Sequence, residues 1–128
     1  MGMDETKRVI HRTSGVAERV EQFGPYQIEA LLSDAEEAAA TVYRVHVEAN
    51  QLSATSYHLI AEEFYYVLSG GGTAILDGAR YPIRQGDFLR LPPGTRHAFE
   101  TDDEPLQMLD IHVPGCRPDR DAYFVEDE

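Results

Sequence analysis

Cysteine is almost absent from this chain: Cys116 is the single one in 128 residues. An intrachain disulfide is therefore excluded, and a reducing cytoplasm is the expected home. Cys116 sits in the turn-rich run Pro114-Gly115-Cys116-Arg117-Pro118, which reads as a loop and not as a redox motif. Positive charge is scarce as well. There are 11 Lys and Arg against 23 Asp and Glu, a formal net charge of −12. Nucleic acid and anionic membrane both need a basic surface, so neither is an expected partner. Long apolar runs are missing. No stretch approaches the roughly 20 residues of a membrane-spanning helix, and a signal-peptide pattern is not expected from the first residues. The glycine run Gly70-Gly71-Gly72 is followed by neither Lys-Ser/Thr nor a helical pattern, so it is no phosphate loop.

What is present suits one domain with one core, since 42% of the residues are hydrophobic. The acidic runs, 101–104 and 126–128, read as solvated loop and tail. Short stretches alternate between apolar and polar residues, the period of a half-buried strand. Tyr26 to Leu31 is one. Thr41 to Glu48 is the clearest, with Tyr43, Val45 and Val47 on one face and Arg44, His46 and Glu48 on the other. Val16 to Gln22 reads as a turn or a short strand. Ser33 and Glu36 have capping-box spacing, and 34–40 is rich in helix formers, so a short helix or a loop insert is expected there.

Phe64 to Leu68 is an aromatic and β-branched run that the glycines are expected to end. Thr73 to Leu76 and Ala79 to Ile83 form a hairpin around Asp77-Gly78. Phe88 to Leu91 stops at Pro92-Pro93-Gly94, because proline cannot continue a central ladder. His97 to Glu100 and Leu106 to Val113 are the last strands. Short strands every 8 to 12 residues or so predict an all-β sandwich or barrel. The expected organisation is an N-terminal strand and linker over 1–40, the barrel over 41–113 and an acidic tail over 114–128. Tyr123, Phe124 and Val125 are expected to pack back on the barrel or on a second subunit.

Residues two apart in a strand share a face. Ser56 and His58 then point one way, Glu63 and Tyr65 share a face, and so do His97 and Phe99. If those faces meet, two imidazoles and a carboxylate converge, a recurrent set for a divalent metal. On the last strand His112 shares a face with Asp110, Met108 and Leu106. Whether that face or the one with Leu109, Ile111 and Val113 turns inward is open from the pattern. His112 is therefore either a stand-in ligand or outside the site. Arg90 would bind a carboxylate if it faced inward, and otherwise it is a solvated surface residue. Tyr43, Tyr65, Phe88 and Phe99 read as core. No Ser-His-Asp arrangement is recognisable, and no catalytic residue is assigned.

The segments Ser56 to Gly70 and Gly86 to His97 resemble the two motifs of the cupin family, G-x5-H-x-H-x3,4-E-x6-G and G-x5-P-x-G-x2-H-x3-N. His58, Glu63 and Gly70 match the first; Gly86, Pro92, Gly94 and His97 match the second. Asn50 and Thr101 stand at the outer ends where the family has Gly and Asn, and Ser56 stands where it has its first ligand His. The resemblance implies a single double-stranded β-helix (jelly-roll) barrel. It also implies a divalent ion, Fe, Mn, Ni, Zn or Cu, on His58, Glu63 and His97. Ser56, Tyr65, Phe99 and His112 would lie behind the ligands or line the pocket. A small carboxylate or oxygenated ligand and a homodimer are expected. So is metal-dependent chemistry of the dioxygenase, isomerase or lyase type, or else a metal-free binding or sensor role for a sugar or small molecule.

Overall fold

A computed structural model describes residues 9–33, 39–115 and 121–125. The expected helix or insert over 34–40 lies largely outside them, as do Cys116 and the last acidic residues. Among the described residues a 3-10 turn, Ala17–Arg19, precedes ten strands: β1 (Val20–Phe23), β2 (Tyr26–Leu32), β3 (Thr41–Val47), β4 (Ser56–Tyr57), β5 (Glu62–Leu76), β6 (Ala79–Arg84), β7 (Phe88–Leu91), β8 (His97–Glu100), β9 (Leu106–Val113) and β10 (Tyr123–Phe124). All pairings are antiparallel. The fold is an all-β double-stranded β-helix. Among the described residues no helix is long and apolar enough to cross a membrane.

β5 is the spine. Its first half pairs with β9 and β7, and its second half with β6 and β8. One wall therefore runs β1-β2-β3-β9-β5-β7, and the other runs β6-β5-β8-β4-β10. The expectation that the glycines end this strand is overturned: they carry it from wall to wall. The register against β9 shifts between Val67 and Ser69. At Gly70, with φ +73°, a Cβ would lie 1.8 Å from the Pro105 carbonyl oxygen. At Gly72 it would lie 2.3 Å from that of Glu100. Only glycine lets the neighbouring backbones approach this closely.

Alternation fixes which residues face in. β3 buries Thr41, Tyr43, Val45 and Val47, and β9 buries Leu106, Met108, Asp110 and His112. Val45, Val47, Val67, Leu106, Met108, Leu91 and Phe99 make the apolar centre. Burying an aliphatic or aromatic side chain of this size contributes about 1.5–3 kcal/mol. Phe88 is the exception to the expected core. It is 62% exposed and stacks on Phe64 on the outer face, at 6.1 Å between ring centroids. Its partner in register is Tyr66, itself outward, so the inward residues of β7 are Leu89 and Leu91.

Both end positions of the motif pattern are held by residues that shape the backbone. Asn50 has φ +60°, a conformation asparagine tolerates better than most residues. The Thr101 hydroxyl donates to the Glu48 carbonyl at 2.6 Å and accepts from the Gln51 amide at 3.0 Å, which ties down the loop before β4.

Candidate metal and ligand site

Glu63 begins the inward stripe of β5 and lies opposite His112 of β9 and Leu91 of β7. His97 opens β8 directly opposite Ser56 of β4. His58 follows β4 in the loop that leads to β5. The three predicted ligands come together: Nε2 of His58 and Nε2 of His97 each lie 3.5 Å from Glu63 Oε1. Donor atoms at the corners of a tetrahedron, with bonds of about 2.1 Å, are about 3.4 Å apart. The spacing therefore suits a small divalent cation.

The other ring nitrogens settle the tautomers. His58 Nδ1 lies 2.6 Å from the Asp121 carbonyl oxygen, and His97 Nδ1 lies 3.2 Å from that of Thr95. A carbonyl only accepts, so both Nδ1 atoms carry the hydrogen and donate. In a neutral ring Nε2 is then left with its lone pair, and both Nε2 atoms face Glu63 Oε1. That oxygen is buried without a hydrogen-bond partner among the described residues. Ser56 Oγ, 3.4 Å from His97 Nε2, is positioned to donate to it.

Burial pushes the Glu63 carboxyl up, but His97 and contacts from His112, His58 and Asp110 outweigh that. They hold it well below the usual carboxylate range, so it is ionised. Burial pushes the His97 imidazole down, and the Glu63 charge and the Thr95 carbonyl only partly offset this, so the ring is held neutral. Burial, then the charges of Asp110 and Glu63, push the Tyr65 hydroxyl well up, and it stays protonated.

His112 turns inward, which resolves the open orientation of the last strand. Its Nε2 lies 2.8 Å from Glu63 Oε2 and 3.7 Å from Asp110 Oδ2. An ionised carboxylate only accepts, so Nε2–H of His112 is the donor. His112 therefore holds Glu63 in place. Its Nδ1, 3.4 Å from the Thr41 hydroxyl, faces the other way. Tyr65 and Phe99 are buried beside the cluster, with Tyr65 6.2 Å and Phe99 6.4 Å from His97 between ring centroids. Arg90 lies outward and pairs with Glu62, away from the cluster. His46 meets Glu48 outside the barrel.

Above the cluster opens a cavity of about 280 Å³. Its floor is polar: Ser56, His58, Glu63, His97, Asp110 and His112. Its walls are apolar and aromatic, with Phe23, Tyr26, Ile28, Tyr43, Val45 and Phe124 among them. Tyr26, Phe23 and Phe124 are not among the site residues expected from sequence, which places Asp110 only on the His112 face, whose direction the pattern leaves open. β9 is apolar on both faces, so alternation alone does not choose its inward side, and the wall residues come from flanks outside the matched motifs.

The family model described as "Cupin domain" matches residues 43–112. The uncharacterized protein MJ1618 of Methanocaldococcus jannaschii is 36% identical over 58 residues, covering 44% of this chain and 46% of that protein. The chain thus spans about half the length of that curated relative. Among solved structures, PAC13 of Streptomyces, a variant of which was solved with uridine, is 25% identical. It covers 91% of this chain and 93% of its own, with a TM-score of 0.69. That protein is described as a nucleoside dehydratase. A sugar phosphate isomerase of the cupin superfamily from Silicibacter pomeroyi is 25% identical. It covers 80% of this chain and 67% of its own, with a TM-score of 0.66.

Proposed function

The chain belongs to the cupin-domain family, and from that premise we propose that it binds one divalent transition metal through His58, Glu63 and His97 and a small uncharged organic molecule above it. The observation that carries this reading is the meeting of two imidazole lone pairs with a buried carboxylate oxygen, each nitrogen 3.5 Å from that oxygen. Three such atoms repel one another unless a cation lies between them. When bound, the ion supplies Lewis-acid polarisation of a ligand oxygen. Nitrogen and oxygen donors of this kind suit Fe, Mn, Ni, Zn or Cu alike.

The chain's own groups do the rest. His112 keeps Glu63 oriented, Ser56 and Tyr65 offer hydroxyl donors near the floor, and Asp110 adds a second carboxylate. No Lys or Arg lines the cavity among the described residues. Apart from the ion itself, a carboxylate ligand would meet no cationic side chain and would face Asp110, so an oxygenated, uncharged compound with an apolar or ring portion fits better. Acid–base chemistry of the lyase or isomerase class is favoured over oxygenation by the floor's donors and carboxylates. The dehydratase and isomerase descriptions of the two solved relatives support the same choice. A metal-free binding role is the second reading, supported by the 2.8 Å His112–Glu63 contact, which links an imidazole to a carboxylate without an ion.

Titration of chelator-treated protein with Zn(II) and Co(II) tests the first reading. One equivalent is expected to bind, and His58→Ala or His97→Ala is expected to weaken binding 100-fold or more, on the order of 3 kcal/mol. No binding by the parent protein leaves the metal-free reading. We also infer a homodimer in the cytoplasm, built on the outward Phe64, Tyr66 and Phe88 of β5 and β7. A monomer in sedimentation at micromolar concentration would rule that interface out.

A further inference from the structure

The proposed ligand His58 lies in a loop; its carbonyl accepts from the Gly94 amide at 2.6 Å, and what fixes its ring comes from 63 residues further along the chain. The Asp121 carbonyl accepts from His58 Nδ1 at 2.6 Å. The Asp121 carboxylate accepts from three successive backbone amides. Oδ1 takes Leu59 at 2.8 Å, Oδ2 takes Ala61 at 2.8 Å, and Ile60 reaches both oxygens at 3.1 and 3.0 Å. Three consecutive N–H groups turned toward one anion form a nest that a carboxylate fills. Leu59 and Ile60 are exposed, so apolar packing does not hold this loop. Asp121 has φ +51°, which sets its carbonyl and its side chain against the same loop. The segment after it is docked as well. Tyr123 and Phe124 pair with β4, the Val125 amide donates to Thr55, and Ala122 and Phe124 reach the cavity wall.

We propose that Asp121, outside the span matched by the family model, is the positioning residue for His58. Its carboxylate anchors residues 59–61, and its carbonyl holds the His58 ring as the Nδ1–H tautomer with Nε2 aimed at Glu63. The site is then complete only when the C-terminal segment is docked. Outer partners of this kind orient a ligating imidazole and raise its basicity, and losing one typically costs 10- to 100-fold in metal affinity. The affinity part of the claim rests on the metal reading above; the tautomer part does not.

Two variants of the full chain test it. Asp121→Gly removes the carboxylate while accepting the left-handed backbone without strain. Asp121→Asn keeps one acceptor oxygen and tolerates the same φ. The readouts are the Zn(II) and Co(II) dissociation constants and the His58 tautomer, read from its ring nitrogens by NMR in metal-free protein. Asp121→Gly is expected to weaken both metals 10- to 100-fold and to mix the His58 tautomers, with Asp121→Asn between it and the parent. Affinities within twofold of the parent together with an unchanged His58 tautomer in both variants would overturn the proposal. Should the parent bind neither metal while Asp121→Gly still mixes the tautomers, the metal reading falls and the positioning role stands.

Discussion

Four inward rungs cross β3, β9 and β5, and the two ends of that ladder differ in chemistry. Val47 and Leu106 meet beside Gly70, and Val45 and Met108 meet beside Val67. Then Tyr43 and Tyr65 flank Asp110, and Thr41 and Glu63 flank His112. The same period of two and the same hydrogen-bonded register produce both ends. One end excludes water by packing. The other buries two carboxylates and two imidazoles, His97 and His112, held by partners on neighbouring strands. An apolar end resists change in volume, whereas a polar end resists change in where protons and lone pairs sit.

The largest effect expected from breaking this contrast is at the apolar end. Gly70→Ala would place a Cβ 1.8 Å from the Pro105 carbonyl oxygen in a left-handed backbone. Neither strain relaxes without moving β9, so a loss of about 4 kcal/mol or more is expected. Urea unfolding of the chelator-treated protein checks it. Retention of parental stability would show that β5 crosses between the walls by some other means.

The two ends were also unequally legible. The alternation of Thr41 to Glu48 announced the inward face of β3 because Arg44, His46 and Glu48 on the outward face are polar. β9 gave no such signal: Leu109 and Ile111 face outward although they are as apolar as Leu106 and Met108. Only cross-strand register shows that Asp110 and His112 sit inside. Motif spacing brought His58, Glu63 and His97 to one place, since a motif encodes geometry that alternation does not. It is silent on Asp121, whose carbonyl, a group any residue type has, meets the His58 ring while its carboxylate reaches the amides of residues 59–61 from far along the chain. Phe88 misled for the reason β9 did: an aromatic residue on a strand is apolar whichever way it points. The glycines misled differently. Gly70 to Gly72 look like a stop signal, yet the close approach of Pro105, Ile83 and Glu100 makes glycine the residue that lets the strand continue.

The smallest and most discriminating effect is on the pH dependence of stability in metal-free protein. Burial holds the folded-state pKa of His97 below its ordinary value of 6.5. The unfolded chain therefore binds a proton that the folded chain resists. The stability associated with His97 is fully present above about pH 6.5 and is lost as pH falls toward the lower folded value. Glu63, also held low, contributes above its ordinary carboxylate value of 4.5 and is lost at still lower pH. Two successive declines in Tm are expected on acidification, the first beginning near pH 6.5. His97→Gln should flatten the first decline and leave the second smaller, because the imidazolium that forms opposite Glu63 at low pH is then absent. Met108→Ala, at the apolar end, should cost about 2–5 kcal/mol at every pH without changing the shape of the curve. Differential scanning fluorimetry from about pH 2 to 8 on the three proteins separates these outcomes. If Met108→Ala reshapes the curve as His97→Gln does, the two ends are one coupled unit and the division drawn along the ladder does not hold.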